Sequence, residues 1–253
     1  MKLLTNLNKL KMKIDLFCPS RERINKVLTF ICSIITTAKD INNINLVLGI
    51  DDDDPKLDHY LKIAQNLDFI QVVRYPEGLI EEIGLCGLWN VMAEQTTNEI
   101  IAMVGDDMKF ETPDWDEKIL KEFSNKEDNF YLIHCNDGMR GPGNKYANVP
   151  PLAVNSFIHR DYVDTVGHYM EEVEPNTFGD TYLDKVFELL NRKIYFHDIM
   201  IRHMHFSEYG GKDQVSVNIE KTREGIWDDP AIFEEKLMPE ILKEVEIIKA
   251  KIA

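Results

Sequence analysis

The stretch EIIAMVGDDMKF, Glu99 to Phe110, decides the reading of the whole chain. Ile100 to Val104 is short, continuous and apolar, the pattern of a central strand covered on both faces. Asp106 and Asp107 then fall at its carboxyl end, the edge at which open α/β sheets bind ligands. Two like charges ~4 Å apart repel by about 4 kcal/mol in a partly screened site, so something must offset them. A divalent cation does this; Asp-Asp after a strand is also a common turn.

The surrounding pattern alternates. KIDLF (13–17), INLVLGI (44–50) and FIQVVRY (69–75) read as strands. Between them run helical stretches: Glu22 to Ala38 with Ile24, Leu28, Ile31 and Ile35 in register, a segment after Pro55 with Leu57, Leu61 and Ala64, and Glu82 to Gln95. Strand, helix and strand in strict alternation imply a doubly wound, mostly parallel central sheet with helices on both faces.

The second half is less regular. NFYLIHC (129–135) and LAVNSFIHR (152–160) read as strands around the glycine- and proline-rich loop NDGMRGPGNKYANVPP (136–151). A helix from Asp180 to Leu190 precedes the strand KIYFHDIMIRHMHF (193–206). Pro230 to Ala253 carries Phe233, Leu237, Ile241, Val245 and Ile248 on one stripe, a C-terminal amphipathic helix. With no linker or repeat, residues 1–229 read as one domain with a short extension at 1–11, and 230–253 as a helix packed upon it.

Composition narrows the classes. The 253 residues are 44% apolar, enough for a full core, and carry 29 Lys and Arg against 44 Asp and Glu, a formal net charge of −15. Such a surface repels a polyanion and argues against broad nonspecific nucleic-acid binding. Cys18, Cys32, Cys86 and Cys135 show neither a CxxC pair nor zinc spacing and read as reduced core residues. No apolar run approaches a membrane span; FICSIIT (30–36) is far too short. A soluble cytoplasmic protein is expected.

Chemistry-bearing residues gather at strand ends. CPSRER (18–23) follows the first strand, DDDDP (51–55) the second, GDDM (105–108) the fourth, and HMH (203–205) closes the late strand. Neither GxxxxGK[ST] nor GxGxxG is present, so a phosphate loop does not explain them. His203 and His205, two apart on a strand, point to the same face, as two metal ligands or a ligand and its neighbour would. A mixed carboxylate and imidazole shell suits Mn²⁺.

PSRER (19–23), GIDDDDP (49–55), EIGLCGLWN (82–90), VGDDMKFETPDWD (104–116), FGDTYLD (178–184) and RHMHF…GGK (202–212) together resemble the GT-A type glycosyltransferases, close to the family-two-like enzymes. The similarity runs from about Met12 to about Asp229. It implies a nucleoside-diphosphate sugar as donor, UDP favoured, an Mn²⁺ or Mg²⁺ ion, and transfer of a hexosyl or pentosyl group to an acceptor hydroxyl or amine. The family's aspartate-any-aspartate metal motif falls on Gly105, Asp106 and Asp107, with its first carboxylate missing. Asp107 thereby inherits the metal role, with His203 and His205 as late ligands, and Asp106 meets the ribose or the metal through water.

By the same resemblance Pro19, Ser20 and Arg21 match the nucleotide loop, Asp52 the acid that reads the base, with the choice among the four consecutive aspartates 51–54 left open, and Asn90 a further nucleotide contact. Lys212 is placed to reach the donor phosphates. Asp180 falls near the family's general base, with Asp184 one helical turn on as fallback; capping of the helix is the other reading of Asp180. Two other classes stay open: a two-metal nucleotidyltransferase, against which the acidic charge and the lack of a basic groove speak, and a non-catalytic binding module on the same fold.

Overall fold

The structure is a computed structural model that describes residues 12–141, 143–174, 177–206, 212–213, 216–217, 221 and 231–253. Strand β1 (Ile14–Ser20) leads through helix α1 (Ile24–Thr37) to β2 (Ile44–Asp51), α2 (Leu57–Ala64), β3 (Ile70–Tyr75), α3 (Leu79–Glu94) and β4 (Ile100–Met103). β5 (Met108–Phe110), α4 (Trp115–Ser124), β6 (Leu132–Asn136), β7 (Ser156–His159), α5 (Asp161–Val166), α6 (Gly179–Leu189) and β8 (Lys193–His203) follow. A wide helical turn, Ile232–Leu237, opens the last helix, α7 (Met238–Ile252).

One eight-stranded sheet runs in the order β3-β2-β1-β4-β7-β6-β8-β5. Its first half is parallel, with Phe17 opposite both Val47 and Met103. The second half is mixed: β7 lies antiparallel to β4 and β6, β8 parallel to β6, and β5 antiparallel to β8. A parallel neighbour needs a crossover element, and the segment joining β6 to β7 contains no helix, so β7 returns antiparallel.

Alternating side chains send the two faces of the sheet into separate cores. Ile14, Leu16, Ile100 and Ala102 pack under α1, α2 and α4, whereas Phe17, Ile101 and Met103 pack under α3, α5, α6 and α7. The predicted C-terminal stripe buries Leu237, Ile241, Val245 and Ile248. Between them Glu244 is also buried, accepting hydrogen bonds from Tyr162 and Tyr182, each at 2.6 Å, and facing His168 Nε2 at 3.1 Å.

Several local expectations shift. α1 is apolar on more than one side, and the bulkier set Val27, Phe30, Ile31 and Ile34 takes the core, leaving Leu28 and Ile35 exposed. Cys32, on that outer side, is exposed, whereas Cys18, Cys86 and Cys135 are buried as expected. β5 and α4 were not anticipated; α4 has a legible stripe, Trp115, Ile119, Leu120 and Phe123. α3 starts three residues early and carries a kink at Gly84, φ 67°. No helix among the described residues is long and apolar enough to cross a membrane.

Candidate functional site

The parallel half of the sheet sends the ends of β1, β2 and β4 to one edge, so segments far apart in sequence meet there. Ser20, the last residue of β1, donates from Oγ to Asp106 Oδ2 at 2.6 Å. Pro19 lies in the strand beside it, opposite Gly49. Arg21 forks onto the loop after β2, with Nη1 3.0 Å from Asp51 and 2.5 Å from Asp53, and Nη2 2.9 Å from Asp53. The loops predicted to share one nucleotide pocket are therefore ion-paired to each other.

Among the four consecutive aspartates, Asp52 is not the one that faces Arg21: it is half-exposed and bonded to Arg74 Nε at 2.6 Å. Asp54 is buried but serves the turn, accepting from the amides of Glu22 and Lys56. Asp51 is the buried carboxylate at the strand end, and burial raises its pKa above the usual range against the opposing pull of Arg21.

Asp106 is 4% exposed. Burial pushes its carboxyl up to about 6; Arg23 and Ser20 oppose this and the neighbouring Asp107 charge adds to it. Asp107 behaves oppositely. Burial pushes it up as well, but the hydrogen bond and charge of His203 prevail and hold it down at about 2. Asp107 Oδ1 lies 3.4 Å from His203 Nε2. β5 and β8 pair Met108 with His203, and the amide of Met204 donates to the Asp107 carbonyl at 2.7 Å, so backbone ladders hold the two side chains together. Burial lowers the pKa of His203, and the Asp107 contact raises it further than burial lowers it.

The fit to a divalent ion rests on three observations. A Cβ built at Gly105 would come 2.7 Å from Asp107 Oδ1, so the missing first carboxylate leaves a space that Asp107 uses. His203 Nδ1 is buried with no hydrogen-bond partner among the described residues. His205 stacks edge-on to the His203 ring at 5.3 Å between centroids. Among the described residues no group of three or more His, Cys, Asp or Glu converges as a closed metal cage. Asp107 and His203 would supply two protein ligands and leave positions open, the pattern of an ion shared with substrate phosphates.

A third layer comes from the segment after β8. Arg23 Nη1 bonds to Asp106 at 3.1 Å, while its Nε and Nη2 clasp Asp213 at 2.8 and 2.6 Å. Lys212 is exposed, its Nζ 5.3 Å from the ring centre of Phe206, which in turn stacks on His205. Gly210 and Gly211 of the GGK motif lie outside the described residues.

Asp180 is the second residue of α6, half-buried, accepting the Thr181 amide at 2.7 Å. The cap position belongs to Phe178, at φ 64°, so Asp180 is not the helix cap. Gly179 packs where a Cβ would meet Cys86 Sγ at 3.0 Å, which brings the GLCGLWN and FGDTYLD motifs into contact. Asp184 is buried with both oxygens engaged, one by Lys193 at 2.9 Å and one by the Ala153 amide at 3.0 Å. Asn90 uses four hydrogen bonds on residues 169–172, positioning that segment.

Sequence reasoning missed Arg23, Lys26 and Asp213. Glu171 is 2% exposed, and burial raises its pKa; Oε2 accepts the amides of Val173 and Glu174 while Oε1 has no partner among the described residues. Arg23 sits inside the PSRER motif and was within reach; the pairing with Asp213, 190 residues on, carries no sequence signal. Two surface cavities, of about 330 and 360 Å³, lie elsewhere, one between α4 and β8 and one between α3 and α5.

No protein-family model and no curated protein matches the sequence. Solved structures do. Residues 1–349 of TarS from S. aureus align over 75% of this chain and 59% of that one, at 13% identity and TM-score 0.59. In that comparison the chain spans less than two thirds of its neighbour's length. The same TarS fragment in complex with UDP-GlcNAc aligns over 92% of this chain and 72% of that one, at 13% identity and TM-score 0.58. Mannosyltransferase PcManGT from Pyrobaculum calidifontis, in complex with GDP-Man and Mn²⁺, aligns over 96% and 74%, at 12% identity and TM-score 0.60. The sheet, its flanking helices and these likenesses together show that the chain has the GT-A type fold of glycosyltransferases.

Proposed function

We propose that the protein is a metal-dependent glycosyltransferase that moves a hexosyl or pentosyl group from a nucleoside-diphosphate sugar, UDP favoured, to an acceptor hydroxyl or amine with inversion. The observation that carries the proposal is the Asp107–His203 pair beside the buried Asp106, at the edge where the Ser20–Arg21 loop meets the Asp51 loop.

Asp107 and His203, with His205 beside them, would hold Mn²⁺ or Mg²⁺. A bound ion supplies Lewis-acid stabilisation of the negative charge that develops on the leaving diphosphate. Ser20, Arg21 and Asp51 line the nucleotide side, Asp51 taking the role the sequence assigned to Asp52. Asp180 takes the proton of the acceptor hydroxyl as the new bond forms. Asp184 anchors α6 so that Asp180 keeps its place, rather than acting as a second base. A direct displacement needs only one such carboxylate.

Calorimetric titration of a panel of sugar nucleotides, with and without Mn²⁺, tests the reading. Donor binding is expected to require the metal and to be lost in Asp107→Asn with the fold intact. Affinity that is unchanged by that substitution and insensitive to EDTA would sink it. Gly105, standing where the resemblance calls for a carboxylate, supports a second reading, a non-catalytic nucleotide-sugar-binding module. Donor hydrolysis in the presence of Mn²⁺ separates the two.

A further inference from the structure

The Asp213 carboxylate rests in a cradle of five donors: Arg23 Nε at 2.8 Å, Arg23 Nη2 at 2.6 Å, Lys26 Nζ at 2.9 Å, and the Ser216 amide and hydroxyl at 2.9 and 2.8 Å. Three of these belong to cations at the start of α1. Arg23 is the element that joins this cradle to the Asp106 site, since its Nη1 reaches Asp106. The edge already carries Asp51, Asp53, Asp106 and Asp107, and Arg21 is taken up by the first two. Without a metal ion, a diphosphate arriving there meets net repulsion unless cationic groups are released to it. A guanidinium fork beside an ammonium is the donor set that binds phosphate oxygens, and a carboxylate satisfies the same donors with less charge.

We propose that Arg23 and Lys26 form a diphosphate subsite of the donor pocket, and that Asp213 occupies it as an internal anion until a donor displaces it. The assignment to a donor rests on the glycosyltransferase reading; the anion subsite itself does not. Donor entry breaks the Asp213 contacts with Arg23 and Lys26, leaving Asp213 32% exposed or more to solvent and its charge hydrated. Asp213 therefore competes with substrate for the same two cations, which lowers the apparent affinity for the donor.

The test is titration of inorganic pyrophosphate, in metal-free buffer with EDTA, into the wild-type protein, Asp213→Asn, Asp213→Ala and the double variant Asp213→Asn/Lys26→Met. Exposed and half-exposed ion pairs contribute up to ~1 kcal/mol, so neutralising Asp213 is expected to tighten pyrophosphate binding roughly fivefold. The double variant is expected to lose that gain. Equal or weaker binding in both Asp213 variants, with melting temperatures showing that they are folded, overturns the proposal and makes Asp213 a plain structural tie. A gain for pyrophosphate with no binding of any sugar nucleotide keeps the subsite and overturns the glycosyltransferase reading instead.

Discussion

Ser20 and Asp106 stand 86 residues apart in the chain and 2.6 Å apart in space, the hydroxyl of the first donating to the carboxylate of the second. Both are buried, so the bond is a condition for keeping Asp106 charged inside the protein. Ser20→Ala is expected to destabilise the fold by about 1–3 kcal/mol, the range for removing a hydrogen bond to a charged group. Denaturant unfolding at pH 7 measures it, and a loss well below that range would show that Arg23 alone satisfies Asp106.

Gly105→Ala puts a methyl group where Asp107 Oδ1 now lies, 2.7 Å from the added carbon. The Asp107 side chain can swing aside, so the melting temperature is expected to change little. Swinging aside takes the carboxylate off His203, and metal-dependent donor affinity is expected to fall about tenfold, a cost of roughly 1.4 kcal/mol. Calorimetry with Mn²⁺ decides; unchanged affinity would detach Gly105 from the site.

Asp180 and Asp184 are four residues apart on α6 and predict opposite phenotypes. Asp180→Asn is expected to cut turnover by about 10²- to 10⁴-fold with donor affinity near wild type, the signature of a lost general base. Asp184→Asn breaks a buried pair with Lys193 and is expected to cost ~1–3 kcal/mol of stability. Turnover and unfolding measured on both variants, with the product anomer assigned by NMR, test this. A retained anomer or normal turnover in Asp180→Asn refutes the base assignment.

His168 gives the stability a pH dependence. Burial lowers its pKa, but the hydrogen bond and charge of Glu244 raise it further, leaving it above the ordinary value of 6.5. A histidine with a raised folded-state pKa contributes stability fully below the unfolded value, and the contribution is lost as pH rises through the folded one. The melting-temperature gap between wild type and His168→Gln is therefore expected to be widest below pH 6.5 and to narrow on going alkaline. A gap constant from pH 5 to 9 would mean that the Glu244 pocket does not hold a charged imidazole.

The parallel half of the sheet was legible because β1, β2 and β4 are apolar runs punctuated by charged loops, and because their ends carry the chemistry. The core faces of α1 were not, since a helix with apolar residues on several sides offers periodicity more than one solution. The four aspartates show the limit of motif transfer: identical residues in a row do not say which will face Arg21, and it is Asp51, the last residue of β2, together with Asp53 that does. Asp213 shows another, because an isolated aspartate in a polar stretch says nothing about which distant arginine it will meet.

The pairing of β5 with β8 has a kinetic consequence. The β1–β2 and β2–β3 pairings close short loops, whereas Ser20 bonds to Asp106 across 86 residues, Arg202 to Glu111 across 91, and Arg23 to Asp213 across 190. Asp107 acquires its histidine only after β8 has emerged and docked. On the ribosome, therefore, the ends of β1, β2 and β4 can meet before Asp107 has its partner, and α7, further along the chain, emerges later still.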